Sequence, residues 1–222
     1  MPQLKPLVDA DLLVYRCCAG NRGHNDFIQM VEAADDFIQY IEGMFEEKAL
    51  LFLTGKNNFR YAVATLVPYK NNRKDKPRPR HFQSMREYLV NFHNARIVDG
   101  IEADDALATL HKEDTVLVTY DKDLRQCKGW YFNTLKNELI YISQIEADYN
   151  LYYQMLVGDS ADAVPGIRGI GEKKAPPILI DKNKQEMEEA VMKEYKRQYG
   201  DNAKKYFDEV YTLLYLKRDC QL

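Results

Sequence analysis

Cysteine is scarce in this chain of 222 residues, and what there is forms no framework. Cys17, Cys18, Cys127 and Cys220 contain no C-x-x-C pair, and two of them are adjacent. This excludes a disulfide scaffold and suits a reducing compartment. Histidine is as sparse: His24, His81, His93 and His111 do not pair with cysteine at ligand spacing, which excludes a structural zinc site. No apolar run approaches the roughly 20 residues of a membrane span. The opening MPQLKPLVDADLLVY carries acids inside its apolar stretch and lacks a signal-peptide layout. A cytoplasmic protein with no membrane partner is expected. Internal repeats and low-complexity tracts are missing as well.

Net charge is also small, at −3, but it is sorted along the chain. Between Lys56 and Glu87 nine bases face two acids; between Arg96 and Asp123 eight acids face three bases. Such sorting points to a polyanion held by one region while another carries out metal chemistry. With 45 % hydrophobic residues the chain can bury a full core, as one large domain or one domain with an appendage.

Strand-length apolar runs alternate with helical periodicity. Lys5–Asp9, Ala49–Thr54, Arg96–Val98, Thr115–Tyr120, Gly129–Phe132 and Glu138–Ile142 read as strands, the last two as a hairpin. Residues 26–47, 82–93, Glu102–His111 and Gln144–Val157 read as helices, with two more near 185–198 and 202–217. Strands and helices in alternation predict an α/β fold with a parallel-rich sheet. The Pro68–Pro79 stretch, basic and poor in apolar residues, is expected to be a mobile or arched excursion.

Eight carboxylates stand at strand ends or helix starts. They are Asp9, Glu102, Asp104, Asp105, Asp121, Asp123, Asp159 and Asp162. Converged, they would need cations, and hard oxygen donors call for Mg²⁺ or Mn²⁺. Two such ions about 4 Å apart can activate a water and stabilise the leaving oxygen of a phosphodiester. Each acid also has a local reading: Glu102 as a helix cap paired with Asp99, Asp121 as a turn residue, Asp159 and Asp162 as caps.

The turn Val164-Pro-Gly-Ile-Arg-Gly-Ile-Gly-Glu-Lys-Lys-Ala175 lets backbone approach a phosphate at Gly169 and Gly171. Arg168, Lys173 and Lys174 add charge, as in a sequence-independent duplex-binding hairpin. A plain helix linker is the alternative. In Tyr69-Lys-Asn-Asn-Arg-Lys74, Lys70 and Arg73 would share a helical face and grip a phosphate beside the metals. A solvated basic loop is the alternative there.

In this order the motifs resemble the 5′-nuclease family of flap endonucleases and 5′→3′ exonucleases, in its phage and bacterial branch. The matching pieces are LVDAD at Asp9, FR at Arg60, YKNNR at Lys70 and Arg73, EADD, TYDKDL and GDSADAVPGIRGIGEKKA. The resemblance covers about residues 5 to 180. It implies a PIN-like core at 1–143 with a parallel-rich twisted sheet flanked by helices. Over that core it implies a basic arch or gateway at about 62–94. It also implies a helix–three-turn–helix DNA-binding region at 144–222, with a potassium ion at its turn.

The implied enzyme is a compact, monomeric, phage-type nuclease, in the host cytoplasm if phage-encoded. Its DNA would carry 5′ flaps, nicks, gaps or free 5′ ends, and RNA–DNA hybrids could serve as well. Asp9, Glu102 and Asp104 would hold the catalytic ion. Asp121, Asp123, Asp159 and Asp162 would hold the second, with Asp105 in support. Lys70 and Arg73 would act on the scissile phosphate, and Arg60 and Lys74 would also touch DNA. One departure stands out. The family has an aspartate just after the second strand, where this chain has Thr54 and Gly55. A carboxylate at 55 is expected to fit and to point into the cleft beside Asp9. A structure-specific DNA-binding protein with weakened catalysis, or a PIN-type ribonuclease, are the competing readings.

Overall fold

The computed structural model describes residues 3–19 and 26–222; His24 lies outside them. Five strands run parallel: β1 (Lys5–Asp9), β2 (Leu50–Thr54), β3 (Arg96–Val98), β4 (Thr115–Thr119) and β5 (Gly129–Asn133). A sixth, β6 (Glu138–Ile142), turns back antiparallel to β5. The sheet order is β3-β2-β1-β4-β5-β6. Both faces are buried, so the strands are continuous apolar runs, and alternate residues feed opposite cores. Val8, Leu51, Leu53, Val116 and Val118 face one side. Leu7, Phe52 and Leu117 face the other.

Helices α1 (Ala10–Ala19), α2 (Phe27–Phe45) and, after the short α3 (Arg60–Val63), α4 (Phe82–His93) follow one another along the chain, and α1, α2 and α4 cover the first face. Asp26 caps α2 by accepting from Ile28 N at 3.0 Å, and Met30, Ala34, Ile38, Ile41 and Phe45 form its buried stripe. Helix α5 (Ala103–Leu110) covers the second face. A third core gathers α6 (Gln144–Val157), α7 (Pro176–Leu179), α8 (Lys184–Tyr199) and α9 (Ala203–Leu214). Among the described residues no helix is long and apolar enough to cross a membrane.

The alternation read from the sequence is borne out as a mostly parallel sheet flanked by helices, with a helical C-terminal region. Helix α1 went unread, because β1 and α1 form one apolar run with no break in pattern. A two-residue hairpin, Gly158–Asp159 against Val164–Pro165, also falls where only a turn was expected. The expected arch at 62–94 needs correction. Its last third is α4, whose Phe82, Met85 and Leu89 belong to the main core. The Pro68–Pro79 stretch is not free of the core either: Tyr69 is 3 % exposed and packs with the C-terminal helices. The tract 71–80 is exposed almost throughout.

Met85 is wholly buried. Met85→Ala should therefore cost about 2–5 kcal/mol in denaturant unfolding. A loss near zero would return this segment to a solvated arch.

Candidate metal centre and nucleic-acid interface

Parallel strands bring their carboxyl ends to one sheet edge, and the connections diverge between β1 and β4. Asp9 ends β1, and Asp121 and Asp123 follow β4 across that crevice. Glu102, Asp104 and Asp105 open α5 at the same edge. Asp159 and Asp162 come from the C-terminal side, on the two-residue hairpin and its loop.

Several of these acids hold local backbone groups at the same edge. Asp9 Oδ1 accepts from Leu12 N at 3.1 Å, capping α1, while Oδ2 meets the Thr119 hydroxyl at 3.3 Å. Asp121 Oδ1 accepts from Asp123 N at 2.9 Å. Asp159 Oδ1 accepts from Ala161 N at 2.7 Å and Asp162 N at 3.2 Å, and its other oxygen pairs with Lys122 at 2.6 Å. Glu102 is the N-cap residue of α5, but its partner is Asp105, which accepts from Glu102 N at 3.1 Å, and not Asp99. The Glu102 carboxylate itself turns away to the Tyr69 hydroxyl at 3.0 Å and to the Lys70 ammonium.

Burial, and then their acidic neighbours, raise the proton affinity of Asp9, Asp104, Asp121 and Asp123. Burial, then Asp11, pushes Asp9 up to about 7. Burial, then Asp121, pushes Asp123 up to about 7. Asp121 is raised by burial. Asp104 is pushed well up by its burial and then by Asp9, Asp121, Glu102 and Asp123. Lysines offset part of this charge. Lys122 bridges Asp123 at 3.2 Å and Asp159 at 2.6 Å. Lys70 pairs with Glu102 and lies 3.5 Å from Asp162.

Among the described residues no group of three or more His, Cys, Asp or Glu side chains stands close enough to hold a metal ion as placed. The expected centre is not preassembled, because like charges keep apart and ammonium groups take some of the oxygens. The donor chemistry still fits a hard divalent cation. The donors are carboxylates, and Asp9, Asp104, Asp121 and Asp123 are raised by burial first and then by acidic neighbours.

The segment after β2 is docked rather than loose. Lys70 N donates to the Asp162 carbonyl at 2.8 Å. Arg73 donates to the Ala161 carbonyl at 2.9 Å and to Asp162 Oδ1 at 2.6 Å, and Asn72 reaches the Ser160 carbonyl at 2.6 Å. The Tyr69 hydroxyl contacts Asp162 at 2.6 Å. Glu209 of α9 anchors the segment's start, accepting from Thr65 N at 2.6 Å and Leu66 N at 2.8 Å. Lys70 and Arg73 thus stand beside the carboxylates, on either side of a single 3₁₀ turn. Lys74 is exposed next to them.

Expectations are corrected here for Arg60 together with its partner Asp105, and for position 55. Arg60, expected at DNA, is 1 % exposed. Its guanidinium forms a two-pronged pair with Asp105 at 2.6 and 2.9 Å and donates to the Leu213 and Tyr215 carbonyls at 2.9 and 3.1 Å. Asp105, expected to support a metal, also accepts from Lys217 N at 2.9 Å, so its oxygens are saturated by donors. Position 55 is the other correction. A Cβ there would lie 2.1 Å from Asp99 Oδ1 and 2.6 Å from the Val98 carbonyl oxygen. It faces β3 and not the Asp9 cleft, so the fold does not accept an aspartate. The acid near the end of β2 is Asp11, which accepts from Thr54 N at 2.8 Å and pairs with Arg86 at 2.6 Å.

Arg168, Gly169, Gly171, Lys173 and Lys174 lie together on the surface between α6 and α7. Ile170 N closes a turn onto the Ile167 carbonyl at 3.0 Å, and Gly169 takes the positive φ of +82° that its third position requires. Lys174 N and Ala175 N both donate to the Gly171 carbonyl, at 2.9 and 3.0 Å. The bases are free of ion pairs among the described residues. Tyr69, Lys122 and Glu209 were not singled out from sequence, although two of them adjoin motif residues; Glu209 has no local signal at all.

No family model matches the chain. It is 30 % identical over 190 residues to the flap endonuclease Xni of Shewanella putrefaciens, covering 78 % of this chain and 72 % of that protein. Over 136 residues it is 32 % identical to DNA polymerase I of Caldicellulosiruptor bescii, covering 50 % of this chain and 16 % of that one. The chain spans about half or less of the length of the first curated relatives it matches. The bacteriophage T5 flap endonuclease, solved with DNA and metal ions, superposes with a TM-score of 0.65 at 14 % identity, over 94 % of this chain and 98 % of that one. The catalytic core of Rad2 with DNA substrate gives 0.59 at 14 % identity, over 98 % and 81 %.

Arg60→Met should cost about 3–5 kcal/mol, because it leaves Asp105 buried without its cation. Chemical denaturation checks this, and an unchanged midpoint would put Arg60 back at the surface. The pH dependence has a definite sign. Asp9 and Asp123 ionise near 7 in the fold but near 3.8 when unperturbed. Between those values the folded state holds protons that the unfolded state has released. Stability of the metal-free protein should therefore fall as pH rises from about 4 to about 7 and then level off. Melting in EDTA at pH 5 and pH 7.5 tests this: a higher Tm at pH 7.5 would mean the carboxylates do not repel one another as described.

Proposed function

We propose a function from a premise now in hand: the chain belongs to the 5′-nuclease family. On that premise it is a metal-dependent 5′→3′ exonuclease or flap endonuclease. It would hydrolyse phosphodiesters near a free 5′ end or at the junction of branched DNA, in replication or repair. The observation that carries this reading is the crowd of partly offset carboxylates at the sheet's switch point, flanked by Lys70 and Arg73. Crowded like charges are unfavourable in the metal-free protein and become favourable when a cation joins them.

Hard oxygen donors select Mg²⁺ or Mn²⁺. Asp9, Glu102 and Asp104 are read as holding one ion. Asp121, Asp123, Asp159 and Asp162 are read as holding the other. Such a pair supplies a nucleophile at neutral pH and neutralises charge at the phosphodiester. The chain's own groups do the rest. Lys70 and Arg73 draw the scissile phosphate towards the acids and stabilise the charge that develops on it. Lys74, in the exposed basic tract, meets the approaching strand. Arg168, Lys173 and Lys174, with the open backbone at Gly169 and Gly171, hold duplex phosphates without reading sequence. A potassium ion at that turn, a monomeric state, action on RNA–DNA hybrids and a (host) cytoplasmic location belong to the same reading. So does the division into a nuclease core at 1–143 and a DNA-binding region at 144–222.

A second reading, DNA binding with weakened catalysis, draws on the absence of a preassembled ligand group among the described residues and on Gly55. Cleavage of 5′-flap DNA with Mg²⁺ or Mn²⁺, against EDTA and against RNA, decides between them. Metal-dependent cleavage of DNA is expected. Tight binding without cleavage would favour the second reading, and preference for single-stranded RNA would favour a ribonuclease. Asp123→Asn should lower cleavage beyond the about 10–100-fold that loss of an outer metal partner costs, with DNA binding kept. Cleavage within a few fold of wild type would remove Asp123 from the metal site.

A further inference from the structure

We propose that Gln154 is a positioning residue that aims Asp123 into the carboxylate group, as the end of a buried amide relay starting at the backbone of α9. The inference rests on the reading of Asp123 as a metal ligand. Gln154, on α6, is 4 % exposed. Its amide nitrogen donates to Asp123 Oδ1. Its oxygen accepts from Gln126 Nε2 at 2.8 Å, and the same nitrogen donates to the Leu214 carbonyl at 2.9 Å.

The direction of this relay is fixed by chemistry. A peptide carbonyl can only accept, so the nitrogen of Gln126 must face Leu214. The second hydrogen of that nitrogen then goes to Gln154 Oε1, which leaves the Gln154 nitrogen facing Asp123. Turning the Gln126 amide over would set two acceptors against each other at Leu214. The cost of holding this sense is visible: Gln126 Oε1 is buried with no partner. A buried acceptor is rarely left unpaired unless something else requires the arrangement.

What the relay delivers is a neutral N–H on the inner side of the Asp123 carboxylate. The other contact to Asp123 comes from Lys122, an exposed side chain free to leave. Both bonds fall on Oδ1, so Oδ2 has no bond among the described residues. Gln154 therefore fixes the rotation of the carboxylate without adding charge. Outer partners of this kind commonly change metal affinity by about 10–100-fold.

The test is a titration of the full chain with Mg²⁺ and Mn²⁺, read by calorimetry and by the metal-induced rise in Tm, beside flap cleavage against metal concentration. Gln154→Met should weaken one binding step by about 10–100-fold. Its maximal cleavage rate should return at saturating metal. Gln126→Met, one step removed and not touching Asp123, should move the same step in the same direction by less. It serves also if Gln154→Met does not fold. Unchanged metal affinity in a folded variant, with only a lower Tm, would reduce Gln154 to a packing residue and overturn the proposal. Wild-type protein that binds no divalent ion would instead overturn the proposed function itself.

Discussion

The Arg60 guanidinium sits where three parts of the chain meet. It reaches Asp105 at the start of α5 and the carbonyls of Leu213 and Tyr215 at the end of α9. Asp105 completes the joint by accepting from Glu102 N and Lys217 N. A buried ion pair of this kind adds little net stability over an apolar pair, but losing one member is costly. Its consequence is geometric. The first turn of α5, which carries Glu102 and Asp104, cannot shift without breaking bonds to the C-terminal helices. That coupling fixes one half of the carboxylate group against the other.

Repulsion sets the limits within which that group exists. Asp9, Asp104, Asp121 and Asp123 all have raised proton affinities, with burial the first cause. The fold offsets the repulsion with neutral donors that each hold one oxygen: Leu12 N on Asp9, Asp123 N on Asp121, and Ala161 N on Asp159. Lys70 and Lys122 add positive charge. Each device leaves an oxygen available, or occupied only by a side chain that can withdraw. An arrangement closed by permanent cations, such as the Arg60–Asp105 pair, would have no such oxygen.

Much of this was legible in the sequence because strands buried on both faces announce themselves as apolar runs, and their ends place the acids at one edge. Asp9, Asp121 and Asp123 could be located from that pattern alone. The local readings of Asp121 and Asp159 were also right, since capping a backbone group and facing the cleft use different oxygens of the same side chain; the pairing of Glu102 with Asp99 was not, because Asp105 takes that place. What could not be read was contact between distant segments. Arg60 follows a surface-like loop signal, and only Asp105 and the α9 carbonyls show that it is interior. Position 55 looked like a missing ligand, yet its Cβ direction is set by the Val98 carbonyl of a neighbouring strand. Basic composition made 68–79 look solvated and the resemblance extended an arch over 62–94, while the stripe Phe82, Met85 and Leu89 inside it belongs to the core.

The end of α9 explains why the C-terminal helices and the sheet edge act together. A helix leaves its last carbonyls without internal partners, and a glycine in left-handed geometry commonly closes the end. Here Tyr215 has extended geometry at that position, and no glycine follows. The free carbonyls are taken instead by side chains from elsewhere: Arg60 on Leu213 and Tyr215, and Gln126 on Leu214. Each of these side chains is also linked to the acidic group, Arg60 through its pair with Asp105 and Gln126 through Gln154. Glu209, a turn earlier on the same helix, holds the segment that delivers Tyr69 and Lys70. A helix that contributes none of the expected ligands thereby orients acids or bases on three sides of the site. Its unpaired backbone groups are the reason those side chains stay buried.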